Sequence, residues 1–585
     1  MEITRLFDIL EYKTLNHPNH PVFSYKEGGK WEKHYVKEYV EKSNLVSYGL
    51  LKMGLNRGEK VALISSSRPE WNYLDMGVQQ IGAIMIPIYP TISEDDYKYI
   101  LNHAEIKFIF LEGPELLRKI SNILPEVPSV EHIYTFKKRD ENISSFDELL
   151  ELGSNNPAPN KVKEIKDSIS PKDMVTMIYT SGTTGTPKGV MLSHENLVSN
   201  FMAVHTIPNE EFTRCLSYLP LCHIYERMMN YMYQYRGFEI IYAESVGKVA
   251  DNIKETQPEM MTTVPRLMEK IYDKVYRKGE KLKGFKKEIF YWALDFATDY
   301  EFENKSFIYS LKHKIADKLV YSAIRENFGV LQLVVSGGAA IQPRLARFFN
   351  CLGMTIFEGY GLTETSPVIA VSRRTKGGRK VGTVGPPLEN IEVKIDPNNN
   401  EILCRGKNVM IGYYKAPELT AEVIDTEGWF HTGDTGKLEN GLLSITGRVK
   451  SLFKTSMGKY VNPEAIEGKF KESPFILDMM VVGENQKFAA AIITPDFEFL
   501  KDWQARHDIH CSSQEEMIND KKTLERYNKV MAKYNKYFGD TEQVKRFKLI
   551  NETWTEANGF LTPTMKLRRR KVMEVYKDEI DNLFR

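Results

Sequence analysis

Short apolar runs alternate with segments of helical spacing in the N-terminal part of the chain. Val61–Ser65 predicts a strand, and the apolar residues of Pro69–Gly82 follow at the spacing of a helix. Ala83–Ile88 and Lys107–Leu111 are apolar again, while Ser93, with an acid three residues later, predicts a capped helix start between them. This alternation predicts an α/β fold in which a mostly parallel sheet is covered by helices on both faces.

The pattern changes in the middle of the chain. Gly153–Pro171 is polar and contains prolines, glycine and asparagines, which predicts a linker. Met174–Tyr179 then predicts a strand, and Glu269–Glu326 is helical in character and rich in lysine and aromatic residues. Strand patterns return at Leu331–Ser336, and a hairpin is expected around Asp396–Asn400.

A second unit is expected from about Arg448. Short strands such as Met479–Val482 and Ala489–Ile493 are mixed there with a charged helical segment, and Lys566–Lys571 forms a basic tail. We therefore predict a large N-terminal domain over residues 1–447 and a smaller α+β C-terminal domain over residues 448–585.

Composition narrows the class of protein. The 585 residues are too many for one small domain, and a hydrophobic fraction of 42% can supply large cores. The formal net charge of +1 argues against a nucleic-acid binder. The five cysteines are scattered without a CxxC pair, so no disulfide framework or zinc site is expected, and a reducing compartment is favoured.

The pattern also bears on location. The first ten residues carry acids inside an apolar stretch and lack the pattern of a signal peptide. No run approaches the ~18 apolar residues of a membrane-spanning helix. The expectation is a soluble cytoplasmic protein, with a peripheral contact to a membrane surface left open. Oligomeric state is not predicted.

A loop rich in glycine and threonine gives the first strong chemical signal. It runs from Tyr179 to Gly189, after a predicted strand and before the helix-prone stretch Ser193–Asn200. Glycines let backbone N–H groups approach an anion, hydroxyls add donors and a lysine adds charge, which together suit a polyphosphate. The candidate phosphate-binding residues are Thr180, Ser181, Gly182, Thr183, Thr184, Gly185 and Lys188.

The loop departs from the Walker A pattern. Pro187 stands where a glycine must precede the lysine, and Gly189 stands where serine or threonine must follow it. An ordinary P-loop kinase or GTPase is therefore disfavoured, and a different nucleotide-binding loop is predicted.

Further motifs follow in order along the chain. They are SGGAAI at Ser336–Ile341, EGYGLTET at Glu358–Thr365, GWFHTGD at Gly428–Asp434, GRVK at Gly447–Lys450 and LTPTMK at Leu561–Lys566. Together with the phosphate loop, this set resembles the AMP-forming acyl-CoA synthetase and luciferase family, the ANL adenylating enzymes. The resemblance covers nearly the whole chain, and it implies an enzyme that uses ATP, Mg²⁺ and coenzyme A.

The resemblance also assigns nucleotide contacts. Tyr360 stacks on adenine, Thr363 bonds the α-phosphate, and Glu364 is a hard oxygen ligand for Mg²⁺. Asp434 accepts hydrogen bonds from the ribose hydroxyls, and Arg448 contacts the nucleotide. The remaining positions in the adenine-contacting segments are Gly337, Gly338, Ala339, Glu358, Gly359 and Gly361.

Three lysines and a glycine in the C-terminal part take the roles that the resemblance implies. Lys566 resembles the adenylation lysine, since a positioned ammonium stabilises the negative charge that develops on the transferring phosphoryl group. Lys450 occupies the hinge about which the small, mobile domain rotates between adenylation and thioester formation. Lys454 and Gly458 lie on the thioester-forming face, where the glycine leaves space for the pantetheine arm of coenzyme A.

The carboxylic acid is indicated by Leu219–Arg227, which resembles the form found in long-chain members. His223 is expected as a wall or gate near the carboxylate, with a structural core histidine as the alternative reading. It is not a general base, because a fatty carboxylate is already ionised at pH 7. Longer spacing within Lys454–Val461 and helical insertions before Glu326 and between Phe497 and Phe547 also resemble long-chain enzymes.

The predicted reaction joins a fatty acid to coenzyme A, with ATP converted to AMP and pyrophosphate through an acyl-adenylate. The alternative is an adenylating ligase that delivers the acyl group to a carrier protein or an amine, or that acts on a medium-chain or aryl acid. The basic run Lys270–Lys287, interleaved with aromatic residues, is either a solvated helix face or a dock for a membrane surface.

Overall fold

The architecture was established from a computed structural model. It describes residues 1–137, 143–180, 187–302, 306–449, 451–456, 459–562 and 565–585. The strands, in chain order, are β1 (Pro21–Glu27), β2 (Lys30–Tyr35), β3 (Lys60–Ile64), β4 (Ile84–Pro87), β5 (Ile106–Leu111), β6 (His132–Thr135), β7 (Ser144–Ser145), β8 (Met174–Thr180), β9 (Lys188–Ser193), β10 (Arg214–Ser217), β11 (Glu239–Tyr242), β12 (Met260–Thr263), β13 (Leu333–Ser336), β14 (Thr355–Gly361), β15 (Val368–Val371), β16 (Ile391–Ile395), β17 (Glu401–Gly406), β18 (Gly412–Tyr413), β19 (Phe430–Glu439), β20 (Leu442–Arg448), β21 (Phe453–Lys454), β22 (Tyr460–Val461), β23 (Ile476–Val482), β24 (Ala489–Pro495) and β25 (Val544–Leu549).

Helices alternate with these strands over most of the chain. They are α1 (Asp8–Asn16), α2 (Val36–Lys52), α3 (Pro69–Gln80), α4 (Glu94–Ala104), α5 (Gly113–Ile123), α6 (Phe146–Asn155), α7 (Pro159–Ser168), α8 (His194–Val204), α9 (Ile224–Arg236), α10 (Val249–Thr256), α11 (Pro265–Glu280), α12 (Phe285–Thr298), α13 (Phe307–Ala316), α14 (Ser322–Arg325), α15 (Pro343–Cys351), α16 (Pro417–Val423), α17 (Pro463–Phe470), α18 (Phe497–Ala505), α19 (Gln514–Asn519), α20 (Lys521–Asn535), α21 (Arg569–Val575) and α22 (Lys577–Leu583). Within the described residues, none of these helices is long and apolar enough to cross a membrane.

Two large sheets form the frame of the N-terminal part. One has the order β15-β14-β13-β12-β10-β11-β1-β2, and the other has the order β18-β9-β8-β4-β3-β5-β6-β7. Their inner pairs are parallel, whereas β2, β15, β9 and β18 pair antiparallel at or near the edges. The predicted α/β class is therefore confirmed, with antiparallel edge strands added to mostly parallel sheets.

The described chain forms two compact units. The larger comprises Met1–Lys394, Leu403–His431 and Glu439–Leu443, and the smaller comprises Ile395–Ile402, Thr432–Leu438 and Ser444–Arg585. A four-stranded sheet has the order β16-β17-β19-β20. In the smaller unit, β23 pairs antiparallel with β24 and β24 pairs parallel with β25. The boundary between residues 447 and 448 stays a prediction.

One local prediction requires correction. The expected linker at Gly153–Pro171 contains α7, because Pro159 at its first position suits a helix start despite the polar composition. The helix predicted over Ser193–Asn200 after the phosphate loop is confirmed as α8, which begins at a capping box formed by Ser193 and Asn196. Strand β9, which pairs antiparallel with β8, lies between the loop and this helix.

Candidate active site

The phosphate loop is carried by a β-hairpin. In the register of β8 and β9, Tyr179 pairs with Gly189 and Thr180 pairs with Lys188, so the last described residues of the loop face each other at its mouth. Both Thr180 and Lys188 are half-buried. The predicted contacts at Ser181, Gly182, Thr183, Thr184 and Gly185 lie outside the described residues. The hairpin thus fixes a hydroxyl and an ammonium at one end of the second large sheet.

Tyr413 connects this hairpin to the predicted metal ligand. Its strand β18 pairs antiparallel with β9, with Tyr413 opposite Val190. The Lys188 ammonium lies 5.0 Å from the centre of the Tyr413 ring, and the Tyr413 hydroxyl donates to Glu364 Oε1 at 2.9 Å. Burial, and secondarily the neighbouring Glu364 carboxylate, raises the pKa of Tyr413, so this hydroxyl stays a donor.

The structure brings the two glycine-rich motifs together at adjacent strand ends. Strands β13 and β14 are parallel, and Ser336 pairs with Glu358. Gly337, Gly338 and Ala339 follow directly after β13, with Gly338 and Ala339 exposed. The carboxyl edge of a parallel sheet is where ligands bind in open α/β folds, so this edge is suited to a nucleotide.

Gly337 lies close to the ring of Tyr225. A Cβ at this position would stand 3.0 Å from two atoms of the Tyr225 ring. The Tyr225 hydroxyl donates to the carbonyl of Val335 at 2.9 Å, which fixes the ring beneath the strand end. A side chain at this position would therefore crowd the ring, and Tyr225 would have to shift by a few tenths of an ångström.

Strand β14 carries the second motif. Burial raises the pKa of Glu358 to about 8, so its carboxyl group is largely protonated at neutral pH and can donate a hydrogen bond. Tyr360 is half-buried against the main hydrophobic core. Gly361 is sterically obligatory, because a Cβ there would stand 1.7 Å from the carbonyl oxygen of Pro367. Gly359 lacks such crowding, with the nearest atom, Val371 Cγ2, at 3.8 Å.

The turn after β14 holds Thr363 and Glu364. It is a short 3₁₀ turn over Thr363–Thr365, in which both residues of interest are half-buried. The carbonyl oxygen of Glu364 accepts from the backbone N–H of Met410 at 2.9 Å. The backbone at Glu364 is thus held by the segment that leads into β18, the strand that also supplies Tyr413.

His223 caps the N-terminus of α9. Its Nδ1 accepts a hydrogen bond from the backbone N–H of Tyr225 at 3.2 Å, which places the proton of the neutral ring on Nε2. The imidazole is half-buried. The residue therefore has a structural task as a helix cap, and its orientation is set by α9.

Glu226 ties α9 to the first large sheet. The carboxylate is fully buried and accepts hydrogen bonds from Ser217 Oγ on β10 and Thr262 Oγ1 on β12, each at 2.5 Å. Burial raises its pKa to about 7, and the two hydroxyl donors offset part of that effect. The side chain therefore titrates close to neutral pH.

Arg227 ties the same helix to the second large sheet. Its guanidinium is fully buried, lies 2.5 Å from Asp75 Oδ1 and donates to Thr176 Oγ1 on β8 at 2.6 Å. Tyr231 closes the network by donating to Asp75 Oδ2 at 2.6 Å. Successive charged residues of one motif thus anchor α9 to both sheets and hold His223 in place.

Asp434 and Arg448 form a pair within the smaller unit. Arg448 Nε lies 3.1 Å from Asp434 Oδ1, and the Asp434 side chain is only 7% exposed, against 43% for that of Arg448. The backbone N–H of Asp434 is bonded to Thr432 Oγ1 at 3.1 Å. The two residues assigned to the ribose and the nucleotide are therefore direct neighbours, on β19 and β20.

Lys566 lies on a tight loop of the smaller unit. Its carbonyl accepts from the backbone N–H of Thr562 at 2.8 Å, and its own N–H donates to Thr562 Oγ1 at 3.1 Å. Met565 before it adopts a left-handed φ of 62°. Lys566 is exposed. The two hydrogen bonds to Thr562 hold the backbone at Lys566, and the residue lies at the surface of its unit.

Lys454 lies on the short hairpin of β21 and β22. It pairs with Tyr460, and its ammonium lies 4.8 Å from the centre of that ring. Gly458 and the predicted hinge residue Lys450 lie outside the described residues.

The donors present fit a magnesium ion that is held mainly by its substrate. Among the described residues, no group of three or more histidine, cysteine or acidic side chains is placed to hold a metal. Mg²⁺ is commonly bound through one or two carboxylates plus substrate phosphates and water. Glu364 suits that role, since Tyr413 bonds only to its Oε1.

Sequence reasoning missed Tyr413, Glu226 and Arg227 as residues that position the site. Tyr413 lies in no motif, and only the pairing of β18 with β9 brings it to Lys188. Glu226 and Arg227 are charged residues in an apolar segment of the sequence, a pattern that indicates buried charges with hydrogen-bonded or ionic partners. Their partners on four other elements could not be read from the sequence.

Comparison with known proteins identifies the family and the fold. A model of the AMP-binding enzyme family matches residues 10–414, and a model of the AMP-binding enzyme C-terminal domain matches residues 451–585. Fatty acyl-CoA synthetase A of Dictyostelium discoideum is 31% identical over 94% of this chain and 85% of its own length. The peroxisomal long chain acyl-CoA synthetase 7 of Arabidopsis thaliana is 33% identical over 94% and 81%.

Human long-chain-fatty-acid–CoA ligase 1 is 30% identical over 94% of this chain and 82% of its own. Among solved structures, the adenylation domain of a carboxylate reductase from Mycobacterium chelonae has a TM-score of 0.79 at 20% identity, covering 99% and 91% of the two chains. An anthranilate CoA ligase in complex with anthranoyl-AMP has a TM-score of 0.74 at 19% identity, covering 99% and 98%. These structural similarities support the fold.

Proposed function

The chain belongs to the family of AMP-binding enzymes, and we propose on that premise that it is a long-chain fatty acid–CoA ligase. It activates the acid with ATP as an acyl-adenylate and transfers the acyl group to coenzyme A, releasing AMP and pyrophosphate. The structural observation that supports the first step best is the link from Lys188 through Tyr413 to Glu364. It joins a phosphate-binding cation to a metal-binding carboxylate.

In the adenylation step, a carboxylate oxygen of the acid attacks the α-phosphorus of ATP and pyrophosphate leaves. Thr180, Lys188 and the loop residues Ser181–Gly185 bind the phosphates, while Thr363 bonds the α-phosphate. Glu364 would hold Mg²⁺, which would supply positive charge to offset the negative charge of the triphosphate and of the leaving pyrophosphate. Lys566 stabilises the charge that develops on the transferring phosphoryl oxygens.

In the larger unit, the edge formed by β13 and β14 is assigned to the base; in the smaller unit, Asp434 is assigned to the ribose and Arg448 to the nucleotide. Tyr360 stacks on adenine, and the residues around it supply backbone contacts and hydrogen bonds. These residues are Gly337, Gly338, Ala339, Glu358, Gly359 and Gly361. A protonated Glu358 would donate to a ring nitrogen of the base, which its raised pKa supports.

In the second step, the thiol of coenzyme A attacks the acyl carbonyl carbon and AMP leaves. Lys454 and Gly458 belong to the face that forms the thioester. We assign a mobile domain to residues 448–585, with Lys450 as the hinge between the two steps and residues 1–447 as the adenylation domain.

A long acyl chain as substrate is supported by the relatives, which are named for fatty acyl, long-chain acyl or long-chain fatty acid substrates over nearly the full chain. His223 is proposed as a gate beside the carboxylate, held by α9 through its capping bond. A cytoplasmic location and a peripheral contact with a membrane are the proposed setting for a lipid substrate of this kind.

The test of the site is a pair of half-reactions with Lys566→Ala. Pyrophosphate release from ATP and a long-chain acid should fall by at least 100-fold, whereas thioester formation from preformed acyl-AMP should stay within a few-fold of wild type. Lys571→Ala, an exposed lysine in the same basic tail, is the matched control and should preserve both rates. Equal loss of both half-reactions would remove the assigned role.

A further inference from the structure

Helix α13 and the π turn that follows it, Asp317–Tyr321, expose a row of large apolar side chains. Phe307 is 84% exposed and Ile308 is 66% exposed, and the row continues through Leu311, Ile315 and Leu319. Four of the five are spaced by four residues, so they lie along one face of the helix. We call these five residues the α13 stripe.

The opposite face of the same helix already meets the protein core. Ala316, Val320 and Tyr321 are buried, and His313 Nε2 lies 2.8 Å from the carbonyl oxygen of Cys351. Packing against the fold therefore does not require the α13 stripe to be apolar. An exposed row of this size marks an interaction surface more often than chance.

Lysines border the stripe on both sides. At about 100° per residue, Lys314 and Lys318 lie along one border and Lys312 along the other, and all three are exposed. Asp317, the acid within this segment, forms an ion pair with Arg325 at 2.6 Å. The charge that this face offers to a partner is therefore positive.

An aromatic series extends the apolar surface onto α12. The half-exposed Trp292 stacks on Phe296 with centroids 5.8 Å apart, and Phe296 lies 4.7 Å from Tyr309 of α13. Tryptophan is favoured at the boundary between water and lipid, because its ring is amphipathic.

We propose that the α13 stripe docks in the headgroup region of a bilayer that contains anionic phospholipid. The apolar row enters the acyl boundary while the bordering lysines bind headgroup phosphates, the arrangement of an interfacial amphipathic helix. This assigns the peripheral membrane contact proposed above to α13 and does not depend on the ligase reaction. It places that contact on α13 rather than on the basic run Lys270–Lys287, in which Tyr272 is buried and Phe285 is the aromatic residue that is 75% exposed.

Flotation with phosphatidylcholine vesicles, with and without phosphatidylglycerol, tests this assignment. Wild-type protein should bind the anionic vesicles, and Ile308→Ser/Leu311→Ser/Ile315→Ser should lower the partition coefficient at least tenfold. The matched control is Met573→Ser/Val575→Ser, which removes two exposed apolar side chains from α21 and should bind like wild type.

A second variant separates charge from apolar insertion and keeps the test valid if the triple variant fails to fold. Lys314→Gln/Lys318→Gln should weaken binding to anionic vesicles by roughly fivefold per lysine and leave weak binding to neutral vesicles unchanged. Acyl-CoA formation from a water-soluble, shorter acid should be the same in wild type and both variants. If the wild-type protein forms no acyl-CoA, that result contradicts the ligase assignment but not the membrane assignment.

Three results would overturn the membrane assignment: no binding of wild type to either vesicle, equal binding of the triple variant and wild type, or no effect of the lysine substitutions. Light scattering during gel filtration tests whether a second copy of the chain, rather than a membrane, covers the α13 stripe. A dimeric mass that the triple variant reduces to a monomer would show that a second copy covers the stripe instead.

Discussion

The buried carboxylate of Glu226 makes a specific prediction about stability and pH. Its ordinary pKa of 4.5 rises to about 7 in the folded protein, chiefly through burial. Between these two values the folded state holds a proton that the unfolded chain releases, so the free energy of unfolding falls as the pH rises. A pKa shift of this size corresponds to about 3 kcal/mol. The free energy of unfolding is lower by this amount above pH 7 and is not lowered below pH 4.5.

Glu226→Gln removes this titration with almost no change of shape. The amide oxygen can still accept from one of the two hydroxyls, and the other hydroxyl can rotate to accept from the amide nitrogen, since Ser217 and Thr262 are both adaptable partners. We expect the free energy of unfolding of the variant to rise relative to that of wild type by about 3 kcal/mol as the pH increases from 5 to 8.

Urea denaturation followed by circular dichroism at several pH values measures that difference. Glu211→Gln, a substitution of an exposed glutamate, is the matched control and should leave the pH dependence of wild type unchanged. Parallel stability curves for wild type and Glu226→Gln would refute the reasoning, because they would mean that Glu226 does not titrate in this range.

Three further substitutions test the site. Arg227→Ala should destabilise the protein by about 3–5 kcal/mol in urea denaturation, because it leaves a buried carboxylate unpaired; a loss below about 1 kcal/mol would contradict the buried network. Tyr413→Phe should lower kcat/KM for ATP about tenfold without changing the unfolding midpoint, and unchanged ATP kinetics would remove its link to Glu364. Gly361→Ala should lower stability by about 1–3 kcal/mol, while Gly359→Ala should preserve it; equal unfolding midpoints for the two variants would argue against the steric account.

Much of the frame of the large unit could be predicted from the sequence. The apolar runs at β3, β4 and β5 have the length and composition of buried parallel strands, and the helices α3 and α4 between them carry clear start signals. Prediction failed at α7, where polar residues and proline are typical of a linker but also suit an exposed helix with proline in its first turn.

Pairing between distant strands could not be predicted. The β8–β9 hairpin and its neighbour β18 join segments more than 200 residues apart, and this register alone brings Tyr413 to the phosphate loop. The same limit applies to α9, whose buried charges were visible while their partners Asp75, Ser217 and Thr262 were not. The local sequence pattern indicates which buried charged side chains must have partners, whereas the topology of the fold determines which residues those partners are.

The most direct test of the central claim is product formation by the intact protein with ATP, Mg²⁺ and coenzyme A across acids from acetate to oleate. The ligase assignment predicts that acyl-CoA, AMP and pyrophosphate form in equal amounts and that turnover is greatest with long-chain acids. Pyrophosphate release without acyl-CoA would contradict transfer to coenzyme A and point to a carrier protein or an amine as acceptor. Absence of pyrophosphate release with every acid would contradict the adenylation chemistry itself.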